Sequence, residues 1–381
     1  MVLGVVSLLT DAATEMIVPF LPFFITDVLG ASAVMVGVVE GAADAVASVL
    51  KLVSGRWADR IGRNRPFVLA GYGLASVIRP LFAVATLAGH VLAIRVVDRI
   101  GKGLRSSPRD AMIAASVEEG GRGAAFGFHR AMDHAGAMLG PLIALAVIHF
   151  WTDDLRTLFW LTAIPGALSI LAIVLFLREK PAEVPDEAPA PLVAELSPEE
   201  RRQLLRALVP IGLFTLGNAS DLFLLLKAGG TRASLTTLPL LWIALHLVKS
   251  LSSTPGGQLA DRLGPRITIA IGWGWYALIY IGFAFATEPW MIWVLFVTYG
   301  LYHGLTEGAE KALVAQIAPA HLRGTAFGWY YLTVGLLALP ASVGFGVFWA
   351  TLGNAVAFSV SAALAAVATV VLIATTRNAP R

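Results

Sequence analysis

The chain has 381 residues, of which 57% are hydrophobic and 14% charged, with no cysteine and a formal net charge of +3. Its mean hydropathy of +0.75 is far above that of a water-soluble globular domain and excludes one. The missing cysteines exclude disulfides and thiolate metal sites, and so small a net charge gives no footing for a nucleic-acid partner.

The apolar residues come in runs such as 157–177, 267–287 and 355–376, each uncharged throughout. A helix needs about twenty residues, at 1.5 Å each, to cross roughly 30 Å of hydrocarbon. The pattern predicts an all-α polytopic membrane protein with twelve spans, centred near residues 14, 44, 77, 103, 135, 167, 217, 246, 277, 302, 336 and 364. No cleavable leader is legible: the first apolar segment starts at Met1, so a short or missing amino-terminal tail is expected.

In chain order, span one carries Asp11 and Glu15, four residues apart, and span two carries Glu40, Asp44 and Lys51. Span three has only Arg79. Span four holds RVVDRIGKGLRSSPRD (95–110), five basic and two acidic residues in sixteen. At 100° per residue Arg95, Arg99, Lys102, Arg105 and Arg109 fall within one third of the helix circumference. Charge facing lipid at mid-bilayer costs at least ~2.5–3.5 kcal/mol per residue, so this stripe must face protein, water or ligand. GKGLRSS within it lacks the upstream glycine and the preceding strand of a phosphate-binding loop.

Span five carries His129, Arg130, Asp133 and His134, then GAMLGP with Gly136, Gly140 and Pro141. Residues 179–205, rich in Pro, Ala and Glu, read as a hydrophilic linker between bundles 1–178 and 206–381, and SPEE at 197–200 as a capping box opening a helix. Span seven holds Asn218 and Asp221, span eight His246 and Lys249, and span ten His303, Glu307, Glu310 and Lys311. Spans six, nine and twelve carry no charge in their cores, which leaves every third helix free to face lipid.

Basic residues concentrate in the 2–3 connection, the linker, the 8–9 connection and the carboxyl end, while the opposite connections have almost none. By the positive-inside rule both termini are expected in the cytoplasm. The halves also repeat. SGRWADRIG (54–62) matches GGQLADRLG (256–264) at an offset of 202, and RGAAFGFHRA (122–131) matches RGTAFGWYYL (323–332) at an offset of 201. At the second offset Arg109-Asp110 falls on Glu310-Lys311, with acid and base reversed. Two repeats joined by a polar linker argue for a pseudo-symmetric secondary transporter.

GRWADRIGRNR (55–65) closely resembles the loop 2–3 motif of the major facilitator superfamily, G-x-L-A-D-R-x-G-R-R, and GGQLADRLGPR is its second copy. RVVDRIGKG (95–103) resembles that superfamily's span-four pattern R-x-x-Q-G-x-G-x-G, with Asp98 in place of Gln and Arg99 in place of Gly. GAMLGP resembles the span-five G-x-x-x-G-P associated with antiporters. The resemblance implies two six-helix bundles that work by alternating access as a functional monomer in the cytoplasmic (inner) membrane. It also implies gating residues: Gly55, Asp59, Arg60, Gly62 and Arg63, their counterparts Asp261 and Arg262, and Gly136, Gly140 and Pro141. Asp59 is expected near the amino end of span eleven, where the helix dipole and arginine contacts favour an anion.

The candidates for substrate contact or proton coupling are Asp11, Glu15, Glu40, Asp44, Arg95, Asp98, Arg99, Lys102 and Arg109 in the first four spans. Arg130, Asp133, His134, Asn218, Asp221, His246, Lys249, Glu307 and Glu310 join them from later spans. A carboxylate without a fixed partner in a low dielectric can exchange protons near neutral pH. The alternative for each is a salt-bridge network that only holds the helices together. Asp11, Glu15, His246 and His303 are the candidates for metal, since imidazole with carboxylate suits divalent transition metals. The expected activity is proton-coupled antiport exporting a small solute, with no cofactor. Export of a divalent metal, organic-anion transport and a non-transporting sensor are the alternatives. No nucleophile–base pair indicates an enzyme.

Overall fold

The computed structural model describes residues 1–21, 24–31, 33–179, 197–230 and 237–376. Residues 180–196, most of the linker, lie outside the described residues, as do the basic residues Lys180, Arg377 and Arg381 and the side chain of Glu40. The described chain is helical: α1 Val2–Glu15, α2 Ala33–Ile61, α3 Arg65–Ile78, α4 Ala88–Ala115, α5 Arg122–Phe150, α6 Leu155–Leu161 and α7 Ala163–Phe176. Then follow α8 Pro198–Gly217, α9 Leu222–Gly230, α10 Thr237–Leu263, α11 Pro265–Phe285, α12 Pro289–Ile317, α13 Arg323–Leu352 and α14 Asn354–Thr376. Among the described residues, seven stretches are long and apolar enough to cross a bilayer on composition alone. α2, α4, α8, α10 and α12 do not qualify, and these are helices that the sequence loads with charge.

Two spans are broken. α1 stops at Glu15, and the chain continues through a 3-10 turn at Val18–Phe20, with Pro19 in its first turn, and a π turn at Phe24–Val28. Proline lacks the N–H that an uninterrupted helix would need. α8 stops at Gly217, Asn218–Asp221 are non-helical, and α9 resumes at Leu222. Glu15 and Gly217 are separated by the repeat offset of 202, so the break is part of the repeat. Backbone freed in lipid must find other partners; the Gly217 carbonyl accepts from the Tyr276 hydroxyl at 2.9 Å.

The ends of α2 and α10 also match. Gly62 and Gly264 follow them at φ +69° and +86°, left-handed conformations that glycine adopts without strain. This is the physical reason for glycine at that place in both motif copies. α3 starts directly after, and Glu179 caps it: its carboxylate accepts from the Asn64 and Arg65 N–H groups at 2.6 and 3.0 Å. Asp154 caps α6, and the Thr157 hydroxyl, with the Arg156 and Thr157 N–H groups, holds its carboxyl below the usual range. The capping box at Ser197 and Glu200 forms as its sequence predicts.

By compactness the chain divides into two units. The first is Met1–Ser116, Met132–Glu195 and Ala320–Leu332; the second is Val117–Ala131, Leu196–Pro319 and Thr333–Arg381. α5 and α13 each give their opening turns to one unit and the remainder to the other. In the first unit, Phe82 and Phe24 pack against Phe159 with ring centroids 6.2 and 5.1 Å apart, anchoring the broken half of span one. In the second, a buried aromatic cluster of Phe214, Trp273, Tyr276, Tyr280, Tyr299 and Tyr302 packs α8 on α11 and α12.

Glycines let the helices of the first unit touch backbone to backbone. A Cβ on Gly71 would sit 2.5 Å from the Gly101 carbonyl oxygen, and one on Gly101 would sit 2.6 Å from that of Gly71. Gly73 has nothing within 4 Å. Gly71→Ala and Gly101→Ala should therefore each lower stability in detergent by about 1–3 kcal/mol, as overpacking does. Gly73→Ala should be neutral or raise stability by up to about 1 kcal/mol through helix propensity. Denaturant or thermal unfolding of the purified variants checks the opposite signs.

Candidate functional site: twin helix latches and two charged clusters

Asp59, near the end of α2, is aimed at the start of α13. Its carboxylate accepts from Gly324 N–H at 3.0 Å and Thr325 N–H at 2.6 Å. The repeat builds the same contact in the second unit, where Asp261 accepts from Gly123 and Ala124 N–H, both at 2.7 Å, at the start of α5. The first N–H groups of a helix have no partner within it and carry the positive end of its dipole, so a carboxylate there meets charge and donors together. Each latched helix starts from a 3-10 turn, Ala320–Leu322 or Glu119–Gly121. Glycine allows the approach: a Cβ on Gly55 would collide with the Gly324 carbonyl, and one on Gly257 with that of Gly123. Arg60, Arg63 and Arg262 are exposed, and among the described residues none of them ion-pairs with the latch. Backbone N–H groups at the start of the helix supply donors to both carboxylates, at the helix end where the motif places an anion. Arg56 instead lies 5.2 Å over the Trp329 ring and Lys51 4.7 Å over that of Tyr331, both on the opening turns of α13.

The charged stripe of α4 is largely buried and engaged within the first unit. Asp98, 1% exposed, accepts from Arg79 Nε at 2.7 Å and lies 3.7 Å from Arg95 Nη1. Arg79 also donates to the Thr10 carbonyl of α1 at 2.9 Å. Arg105 stacks 4.4 Å over the Tyr72 ring. Arg109 pairs with Asp110 at 2.9 Å, and the Tyr331 hydroxyl donates a short hydrogen bond to the other Asp110 oxygen. Arg99 lies 3.4 Å from the exposed carboxylate of Asp44. Lys102, in the middle of the stripe, is exposed.

Asp11 and Glu15 differ from these acids. Both are half-buried, and among the described residues neither has a hydrogen-bond or ion-pair partner. The charges acting on Asp11 are Asp133, Lys102, Arg105 and Glu15; on Glu15 they are Lys102, Arg95, Arg99 and Arg79. The span-five motif puts them there. A Cβ on Gly136 would collide with the Leu8 carbonyl and lie 3.1 Å from Asp11 Cβ, and one on Gly140 would meet the Ala12 carbonyl at 2.6 Å and Glu15 Cβ at 2.8 Å. Asp133, one turn away on α5, is buried and accepts from the Ser7 hydroxyl; His134 is buried too, and Pro141 lies within α5.

The second unit holds a separate chain of charges at the break in span seven. Asp221 accepts from Lys249 Nζ at 3.0 Å and from the Tyr299 hydroxyl at 2.7 Å, with His303 Nε2 at 3.9 Å. His303 Nδ1 lies 3.1 Å from Glu307, whose other oxygen is 3.5 Å from Arg130 Nε. Asn218 donates to the Tyr302 hydroxyl at 3.1 Å. His246 is half-buried with its ring against Trp242 at 5.1 Å. Glu310 accepts from the Trp273 indole at 3.3 Å, and the fully buried Lys311 lies 5.8 Å over the Phe126 ring. Among the described residues, no group of three or more histidines and carboxylates is arranged to hold a metal ion.

Arg79 and the tyrosines are the residues that sequence reasoning left unassigned. Arg79 carried a signal, as the lone charge of span three, but its partner lies 19 residues on in another helix. Removing one member of a buried ion pair leaves the other uncompensated, at a cost of about 3–5 kcal/mol. Arg79→Gln should destabilise the protein by that amount, and the double variant Arg79→Gln/Asp98→Asn should recover part of it. Unfolding of the two variants side by side measures the coupling.

Sequence and structure comparisons agree with this architecture. The chain matches the Major Facilitator Superfamily over residues 3–340 and again over 226–381. It is 30% identical to an uncharacterized MFS-type transporter of Methanocaldococcus jannaschii over 353 residues, covering 91% of this chain and 87% of that protein. It is 26% identical to the multidrug resistance protein MdtG of Enterobacter lignolyticus, covering 84% and 78%. A bacterial homologue of the iron transporter ferroportin, solved in an outward-facing state, superposes with a TM-score of 0.75 at 18% identity over 99% of both chains, a likeness of fold alone. This chain, an all-helical multi-pass membrane protein and not an enzyme, belongs to the Major Facilitator Superfamily of transporters.

Proposed function

We propose that this transporter is a proton-coupled antiporter that exports a small solute by alternating access, with Asp11 and Glu15 carrying the proton. The observation behind this reading is their difference from every other acid described in the α4 cluster. Asp98 and Asp110 are buried in ion pairs and Asp44 faces Arg99, whereas Asp11 and Glu15 stand half-buried near the exposed Lys102 and without a direct partner among the described residues. Two carboxylates four residues apart on one helix repel when both are ionised, which favours a state that holds a proton. A solute competing for the ionised form then exchanges for that proton without a second pathway. The similarity to MdtG, named for multidrug resistance, supports export.

The competing anion and metal readings have less support. The arginines that an organic anion would need are taken up by Asp98, Tyr72, Asp110 and Asp44. Divalent metal has no converging donor set among the described residues. In the second unit, the run from Lys249 through Asp221, His303 and Glu307 to Arg130 is read as a relay or a brace at the span-seven break. The working halves are 1–178 and 206–381, set in the cytoplasmic membrane with both termini inside, as the basic connections favour.

Within this cycle Asp59 and Asp261 act as gate latches. Each clasps the first turn of a helix from the other sequence half, so the latches close the cytoplasmic side and release when it opens. Asp59→Asn removes the charge and one acceptor, worth about 1–3 kcal/mol for a charge-assisted pair of bonds. The inward-open population should rise by roughly 5- to 150-fold. A distance probe between the 2–3 and 10–11 connections checks this; an unchanged distance distribution would reduce the motif to a topology signal. Asp261→Asn should act in the same direction.

For the carriers, Asp11→Asn and Glu15→Gln in proteoliposomes should abolish transport driven by a pH gradient while solute exchange at equal pH persists. If both variants still concentrate solute as the parent does, the two acids are counter-ions and the coupling site lies elsewhere.

A further inference from the structure

In the second unit, the start of α8 and the end of α14 frame a cleft of about 320 Å³, lined by Arg201, Arg202, Leu205, Arg206, Val209 and Thr375. We propose that this cleft is a binding site for one anionic phospholipid, its phosphodiester held by Arg201 and Arg206 and its glycerol and upper acyl carbons lying on Leu205 and Val209. The order of the side chains along α8 carries the inference. Arg201, Leu205 and Val209 recur every fourth residue and so share one face, with Arg202 and Arg206 alongside. From Arg201 to Val209 the helix rises about 12 Å, cationic at its entrance and apolar farther in. A phospholipid seated in a bilayer has the same polarity along the same axis. Leu205 and Val209 are 49% and 57% exposed, so the inner part of the cleft presents apolar surface.

The charge balance points the same way. Elsewhere this chain engages its intramembrane arginines: Arg79 and Arg95 with Asp98, Arg109 with Asp110, Arg130 with Glu307. At the cleft, Glu199 lies 3.8 Å from Arg202 and accepts from Gln203 at 3.2 Å. Arg201 and Arg206 have no acidic partner among the described residues. Arg206 stands more than one turn inside the helix, where its stem lies on apolar surface and its head needs an anion at headgroup level. A guanidinium matches a phosphodiester with two parallel donors, and basic pockets between membrane helices are suited to anionic headgroups. A free phosphate ion would use the arginines but leave the apolar walls without a role, so lipid is the favoured source of the phosphate.

The full-length protein, purified in a neutral detergent and delipidated, tests this by thermal unfolding during titration with dioleoyl phosphatidylglycerol, dioleoyl phosphatidylcholine or inorganic phosphate. Native mass spectrometry counts the lipid retained. Phosphatidylglycerol should raise the unfolding midpoint saturably and leave one tightly held lipid, with phosphatidylcholine and phosphate far less effective. Arg201→Gln/Arg206→Gln should raise the half-saturating phosphatidylglycerol concentration by about tenfold or more, since each arginine near an anionic surface contributes independently. The lipid-free midpoint should not move, because both side chains are exposed. Arg206→Gln alone serves if the double variant expresses poorly, and Arg178→Gln, an exposed arginine at the end of α7, should leave the titration unchanged. Equal responses to the two lipids, saturation by phosphate alone, or a double variant that titrates like the parent would overturn the proposal.

Discussion

A charge placed inside a hydrocarbon slab must be paired, hydrogen-bonded or reached by water, and the arrangement of this protein follows from that constraint. Five basic residues on one face of α4 could not face lipid, so the helix is buried against α2 and α3, with an acid or a ring against each of its four arginines and Lys102 exposed. Asp98, 1% exposed, takes two arginines. Arg79 spends a second donor on the Thr10 carbonyl and so ties α1 to α3 through the same ion pair that fixes α4. The helices α7, α11 and α14, uncharged in their cores, need no such partners there and present Leu, Ile and Val outward.

The same economy recurs at the latches. A carboxylate at the end of α2 or α10 is costly unless donors are waiting, and the first turn of a helix supplies two N–H groups at no further structural cost. Because the partner is backbone, the contact requires close approach, which the facing glycines at 55 and 324, and at 123 and 257, allow. A bond of this kind is firm when made and leaves no unsatisfied side chain behind if water replaces it.

Much of this was legible in the sequence because charge is rare in it. The motif copies located Asp59 and Asp261, the stripe located the buried face of α4, and the span-five glycines marked a close approach that proves to be against α1 at Asp11 and Glu15. What periodicity could not give was tertiary. Residues of one stripe have different fates, Lys102 exposed and Arg95 and Arg105 buried, since that depends on which neighbour happens to face each turn. Tyr276, Tyr299 and Tyr302 are read as apolar filler in a hydropathy scan, yet their hydroxyls bond the Gly217 carbonyl, Asp221 and Asn218 at the break in span seven. The breaks had weak signals in Pro19 and Gly217-Asn218, too short to interrupt a twenty-residue apolar window. Discontinuous helices in corresponding places of two repeats are where transporters of this kind build binding sites.

The central claim is that the buried charges are structural and that Asp11 and Glu15, which have no direct partner among the described residues, do the exchange. Its most direct test is proton release on solute binding. A ligand found by thermal stabilisation of the purified protein is added in weakly buffered solution with a pH indicator. The account predicts proton release in proportion to ligand bound for the parent and for Asp133→Asn, and its loss in Asp11→Asn/Glu15→Gln with binding retained. Undiminished release from the double variant would contradict it.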